Sequence, residues 1–507
     1  MTLASLPGSR QSLRINACIF LILLFSFTAY QLSPAYREQP LPKSPTFSQR
    51  QQPVADGQYN SNVGNGLDVA LNLPLEYTEV KEPPLFCANR FGTLYLRQLR
   101  DSMAEYCTPD SPSGLTCFHS KTAPSRVDSF CFARGALFDQ GNKKFTLGCS
   151  LRDLNGQGVP KYKEFTNYWY NTGPGHVLEE AVRIDDNNLS LAVPDTVPNY
   201  TLLVKREGSD NIWHSLMEIF SMTLSLDVLQ MAKHPSKPTP LFTAMDIKNT
   251  QVLVLDDMAD GPYVDLWSLF APKPLLRMDS ASLPPLHTSF ENLIIPLSGG
   301  GNPLWQGDWE IHSCDDSPLL RTFSRRVLNH FHLDPDTPRD QPPEIVITFI
   351  NRTSTRRLIN AEENFMHLES EIPRIRIQSV DFAAIPFAEQ LAVAQQTDVL
   401  VGVHGAGLTH GIFLPPHSAM VEILPPKLDH KGFRNVAALL GHSYFSVHAS
   451  QSVLPPGPEE QETPKKSDWH EEDVFLEKDI LTDLMNVAVK SLYNRGSRNY
   501  DVTRAHG

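Results

Sequence analysis

The 507-residue chain carries 44 Lys and Arg against 57 Asp and Glu, a net charge of −13. It lacks the basic excess that a phosphate-tracking protein needs, so no nucleic-acid partner is expected. Hydrophobic residues at 41% and charged residues at 20% allow a sizeable core, while 41 prolines imply many turns and some unstructured length. At about 150 residues per domain the length points to roughly three units, or two once the amino-terminal segment is set aside.

Residues 1–14 read as a cytoplasmic tail that holds Arg10 and Arg14 and no acidic side chain. Residues 15–32, INACIFLILLFSFTAYQL, contain no charge. About 18 apolar residues just span a bilayer as a helix, and the basic flank stays on the cytoplasmic side. The expectation is a transmembrane signal anchor of a single-pass type II protein, its body in the lumen. A cleaved signal peptide is the rival, but no small-x-small site follows the apolar run. Cys18 lies in that run, which leaves Cys87, Cys107, Cys117, Cys131, Cys149 and Cys314. An even luminal count suits disulfides, and five of the six fall between Cys87 and Cys149, as if to staple a loop-rich region. Sequence does not choose among their connectivities. No CxxC pair argues for a metal instead. Sequons at Asn188, Asn199 and Asn351 agree with a secretory route.

Residues 33–83 mix Pro, Gln, Ser, Gly and Asn without a sustained period, the composition of a disordered stem. A cysteine-rich body, the acceptor-side domain, is expected over residues 84–335. Within it NIWHSLMEIFSMTLSLDVLQMA, Asn211 to Ala232, has helical spacing, and QVLVL, Gln251 to Leu255, reads as a buried strand ending at Asp256 and Asp257. The stretch DPDTPRDQPP, Asp334 to Pro343, breaks all periodicity and marks a boundary. From residue 340 to 507 the pattern is regular: strands EIVITFI and RIRIQSVDF, a helix FAEQLAVAQQ, then strands DVLVGV and SAMVEIL. Such alternation argues for a parallel α/β sheet. A surface loop over Leu454 to Trp469 and a helix from about Val474 to Tyr493 complete the chain.

The chemistry concentrates in TDVLVGVHGAGLTHGIFLPPHSAMVEILPP, Thr397 to Pro426, where a buried strand runs into His404, Gly405, Ala406, Gly407, Leu408 and Thr409. Glycines let the main chain approach a diphosphate, and amides at a helix start attract anions. The spacing is not a dinucleotide fingerprint, because His410 stands where the third glycine of GxGxxG would be. Glu422 lies among Met420, Val421, Ile423 and Leu424, where a carboxylate needs a partner. A ribose would suit it; an ion pair with an arginine such as Arg434 is the alternative. NRTSTRR brings Arg352, Arg356 and Arg357 to the end of another strand, and guanidinium-to-phosphate bonds are strong and directional.

The segments HGAGLTH, INRTSTRRLIN, NIWHS and the cysteine-rich GLTCFHS followed by RVDSFC resemble glycosyltransferase family 61. The resemblance is strongest to its branch of EGF-domain-specific O-GlcNAc transferases, β-1,2-xylosyltransferases and fungal relatives. It covers roughly Cys87 to the end. It implies a GT-B-like α/β fold with two Rossmann-like domains facing a cleft. It also implies a UDP-sugar donor, a glycan or glycoprotein acceptor, inversion at the anomeric carbon and a type II protein of the secretory pathway. Without a KDEL-like end in TRAHG, Golgi membrane is favoured over retention in the ER. The acidic cluster Asp256, Asp257 and Asp260 departs from a DxD element, so no metal ligand is assigned and a divalent cation such as Mn2+ stays an open cofactor.

Inversion needs a base that deprotonates the acceptor hydroxyl. His214 is the candidate; Glu218, four residues on, would share its helix face and orient the imidazole. The competing class is a non-catalytic luminal carbohydrate-binding protein that keeps the glycosyltransferase fold. A luminal hydrolase lacks its signatures here, as neither GxSxG nor HExxH is present. A glycan on Asn351 would collide with a ligand beside Arg352. Mass spectrometry of the secreted-pathway protein should therefore find that sequon empty, and occupancy would displace the site.

Overall fold

A computed structural model describes residues 73–77, 83–123, 126–166, 172–186, 199–234, 239–278, 288–335, 344–451 and 469–495. The expected tail, signal anchor, most of the stem, Cys18, Asn188 and most of the 454–469 loop lie outside these residues. Among the described residues no helix is long and apolar enough to cross a membrane.

The first body is built on β1 (Ala104–Glu105), β2 (Gly114–Ala123), β3 (Arg126–Asp139), β4 (Lys144–Gly148), β5 (Val182–Asp185), β6 (Tyr200–Val204), β7 (Thr250–Val254), β8 (Leu276–Arg277) and β9 (Thr288–Ile295). They form one sheet of order β1-β2-β3-β9-β6-β7-β8, with β4 and β5 branching from β3. The sheet is mixed: β2, β3, β4 and β9 pair antiparallel, whereas β9, β6, β7 and β8 run parallel. This corrects two expectations. A parallel Rossmann-like sheet is not what the first body holds, and the cysteine-rich stretch is strand rather than loop. Cys117 and Cys131 are directly opposed across β2 and β3 and form a disulfide there. Cys107 bonds Cys149, and Cys87 reaches across 227 residues to Cys314.

The second sheet takes β10 (Ile345–Ile350), β11 (Ile375–Val380), β12 (Val399–Val403), β13 (Ala419–Leu424) and β14 (Ser443–His448) in the order β11-β10-β12-β13-β14. Every pairing in it is parallel. Strands covered on both faces read as continuous apolar runs, which is why EIVITFI and DVLVGV were legible. Val474 and Phe475, expected at a helix start, instead pair with Ser450 and Gln451, and the helix runs Lys478–Asn494.

Alternation along each strand sends residues to opposite faces. Val399, Val401 and Val403, with Ala419, Val421 and Ile423, face an outer core against the last helix. Leu400 and Met420 face a central core. That core also takes Leu202 and Val204 of β6, the long helix Ile212–Met231, and Leu408, Ile412 and Phe413 after the Gly turn. One apolar layer is thus shared by both sheets. The long helix is buried around nearly its whole circumference, so its polar residues need internal partners.

Asp227 shows how that need is met. Arg326 donates from Nη1 and Nη2 to its two oxygens at 2.8 and 3.0 Å, and the Tyr77 hydroxyl donates to Oδ2 at 2.5 Å. Burial pushes the Asp227 carboxyl up, and the Arg326 charge opposes this. Removing one member of a buried pair strands the other. Arg326→Ala should lower unfolding free energy by about 3 kcal/mol, read from a denaturant midpoint. A change below about 0.5 kcal/mol would mean that the pair holds nothing in place.

Candidate functional site

Ligands in open parallel α/β sheets sit beyond the carboxyl ends of the strands. Here β10 ends into Arg352, β12 into His404, and β13 carries Glu422 on the same face as Met420. His404 Nδ1 lies 2.5 Å from Glu422 Oε1, and the Tyr444 hydroxyl of β14 donates to Glu422 Oε2. Glu422 is 1% exposed and both its oxygens are taken. It therefore positions His404 rather than meeting a ribose, and its partner is a histidine and a tyrosine, not Arg434. With Nδ1–H given to the carboxylate, the His404 tautomer is fixed and Nε2 is the acceptor nitrogen. Burial pulls the His404 pKa down, while Glu422 pulls it up. Burial and the neighbouring Glu422 charge together push the Tyr444 hydroxyl up, so it stays a donor.

Gly405 lies under two guanidiniums. A Cβ on it would fall 2.6 Å from Arg352 Nη1 and 3.3 Å from Arg356 Cζ, so only glycine lets both arginines close over the turn. Arg356 Nη1 donates to the His404 carbonyl at 3.0 Å. Arg352 donates from Nε and Nη2 to the carbonyl and hydroxyl of Thr355, and no carboxylate meets it among the described residues. Burial pulls its pKa down, the mark of a cation short of a counter-anion. Arg357 turns outward to Asp473.

The turn continues as a 3-10 helix, Ala406–Phe413. Leu408 N–H already donates to the Gly405 carbonyl at 3.0 Å. The amides of Ala406 and Gly407 precede any intrahelical acceptor and are the donors available to an anion. Leu408 and Thr409 are fully buried. Their side chains belong to the core, which corrects the expectation that they line the donor site. Gly407 is needed for packing, since a Cβ there would lie 2.9 Å from Ile350 Cγ2.

In the first body, Asn211 caps the long helix by accepting from the Trp213 and His214 amides, which sets His214 in the first turn. Trp213 packs edge-on against Phe433 at 5.8 Å, and Phe433 lies 5.6 Å from His404. One aromatic wall thus links the two candidate histidines. His430, held to Asp308 at 3.2 Å, stands 5.0 Å from His404, and Trp469 stands 5.5 Å from it. Glu218 does not orient His214. It is buried and accepts from the Glu207 amide at 2.9 Å, whereas His214 Nδ1 faces Glu207 Oε2 at 3.4 Å. The i, i+4 geometry puts two side chains on one helix face, but His214 turns toward the preceding loop.

Asp256 and Asp260 are engaged by Arg206 and Arg277. Among the described residues no group of three or more His, Cys, Asp or Glu side chains converges as metal ligands do. Glu207, Tyr444, His430 and Trp469 are the additions that sequence reasoning missed. Their positions depend on which loop ends meet in space, and no spacing signals that.

Residues 212–421 match the sequence model described as glycosyltransferase 61. This stretch opens at the helix that carries His214 and takes in Arg352, Arg356 and the HGAGLTH turn. By this stretch the chain is similar to glycosyltransferase family 61. It is 28% identical over 264 residues to an EGF domain-specific O-linked N-acetylglucosamine transferase of Drosophila melanogaster, covering 50% of this chain and 46% of that one. It is 23% identical over 382 residues to the mouse protein of that name, covering 71% of this chain and 67% of that one. To the Xenopus laevis protein it is 30% identical over 147 residues, 29% and 27% of the two chains.

If Glu422 sets His404 and this turn holds a nucleoside diphosphate, Glu422→Gln should weaken binding of UDP as a probe about 10-fold, the order expected for one hydrogen bond to a charged group, with the fold intact by circular dichroism. Unchanged UDP affinity by titration calorimetry would separate this pair from the ligand.

Proposed function

We propose that the chain is an inverting glycosyltransferase that moves a sugar, GlcNAc or xylose, from a UDP donor to a glycan or glycoprotein in the secretory pathway. The observation that carries this reading is Arg352, a half-buried guanidinium without a carboxylate, closed with Arg356 over a glycine turn at the edge of a parallel sheet. Arg352, Arg356 and the Ala406 and Gly407 amides meet the diphosphate and offset the charge that grows on it as the glycosidic bond breaks. The acceptor oxygen attacks the anomeric carbon from the opposite face, the bond to UDP breaks, and the acceptor proton passes to His214. The His214 side chain is 18% exposed, so solvent and an acceptor can reach it. The relatives named for N-acetylglucosamine transfer make UDP-GlcNAc the first donor to try. In this reading residues 1–14, 15–32 and 33–83 are tail, anchor and tether of a Golgi type II protein. The acceptor-side domain spans 84–335 and the donor domain 340–507.

The purified chain should be stabilised against heat by UDP and should release UDP from UDP-GlcNAc or UDP-xylose. Assays with and without EDTA decide whether a divalent cation takes part. His214→Ala should cut turnover at least about 100-fold and leave UDP affinity within about twofold. UDP binding with no turnover of any UDP-sugar would favour the non-catalytic carbohydrate-binding alternative, and no UDP binding at all would sink the assignment.

A further inference from the structure

Two carboxyl groups are buried at the start of the long helix, and the mechanism above uses neither. Glu207 lies three residues past β6, its side chain fully buried. Its Oε1 accepts from the Thr172 hydroxyl at 2.9 Å and, at 3.5 Å, from the Gly300 amide. Its Oε2 is buried without a hydrogen bond, and the imidazole of His214 lies 3.4 Å away. The other charges nearby are already committed. Arg206 is spent on Asp256 and on the carbonyls of Met258 and Ala259, and Lys205 pairs with Glu180. Glu218 accepts the Glu207 amide. Burial, and then the Glu207 charge, push the Glu218 carboxyl well above its usual range.

A buried carboxylate oxygen without a donor is costly, and a pair longer than a hydrogen bond tightens once one partner becomes charged. Trp305 stands edge-on to the His214 ring at 4.8 Å and limits its rotation. We infer that Glu207 is the positioning residue for His214: its Oε2 takes the Nδ1–H, turns Nε2 to the acceptor hydroxyl and stabilises the imidazolium formed when that proton is taken. This rests on the reading of His214 as the base. No electron is moved, and the proton held on Nε2 returns to solvent after the product leaves.

The test uses the full chain, with UDP-GlcNAc as donor, water as acceptor and UDP as the binding probe. Glu207→Gln should lower kcat about 100-fold while KM for UDP-GlcNAc and affinity for UDP stay within about threefold. Glu207→Asp, which keeps the charge, should regain at least about 10-fold of the kcat lost by Glu207→Gln. Glu218→Gln, which alters a carboxyl that does not face His214, should cost at least about tenfold less than Glu207→Gln. Equal losses in the two glutamine variants, or an unchanged kcat in Glu207→Gln, would overturn the inference. The failure of the underlying reading looks different, because His214→Ala would then keep its turnover. Should Glu207→Gln not fold, 15N spectra of histidine-labelled wild type decide. An Nδ1-protonated His214, assigned against His214→Ala, supports the proposal, and an Nε2-protonated one overturns it.

Discussion

A carboxylate set in the middle of an apolar strand governs the edge on which the site is built. Glu422 is flanked by Val421 and Ile423, which point into the outer core, and it shares its own face with Met420 of the central layer. Water does not reach it, so it must be satisfied from within the sheet. Tyr444 from β14 and His404 from the end of β12 supply the two donors. The same bonds that satisfy the acid fix the imidazole, and the carbonyl of His404 in turn receives Arg356. A structural requirement and a chemical one are met by the same three side chains.

The opposite wall follows a related logic with a different outcome. The long helix passes through the shared apolar layer, so Glu218 and Asp227 are forced inside. Asp227 is neutralised by Arg326 and a phenol. Among the described residues no cation bonds Glu218, and burial and the Glu207 charge push it toward its neutral form. Of three acids in this region, one is paired, one is pushed toward its neutral form, and Glu207 faces the imidazole. The difference lies in which cation the packing brings within reach. The Asn211 cap keeps the first turn of the helix at the surface of this layer, where a side chain can have one edge in the core and the other outside it.

Much of the second sheet was legible because parallel strands covered on both faces leave unbroken runs such as VLVGV and IVITFI. The HGAGLTH turn and the long helix were legible for similar local reasons, spacing and period. The first sheet was not. Gly114–Ala123 and Arg126–Asp139 carry cysteines that suggested loops, and the register that opposes Cys117 to Cys131 is a long-range fact of pairing. The site was read by type more reliably than by partner. Arg352, Arg356 and His404 do gather at one edge, but Glu422 and Glu218 were matched to the wrong neighbours. Their neighbours are set by where β14 and the loop after β6 arrive, and no periodicity carries that. Leu408 and Thr409 followed the motif into the list of ligand contacts, whereas the tight 3-10 turn rotates both into the core.

Tyr77 belongs by sequence to the tether, yet its hydroxyl reaches Asp227 and its ring lies beside the Arg326 guanidinium, with Leu73 also packed on the core. Leu73 and Tyr77 therefore form a latch on the folded body. Trimming from the amino terminus past Tyr77, by a protease or at the bench, removes the phenol that covers Asp227. A cut just after Tyr77 would sever the latch from the body that it closes, so the phenol's hold on Asp227 depends on that one short connection.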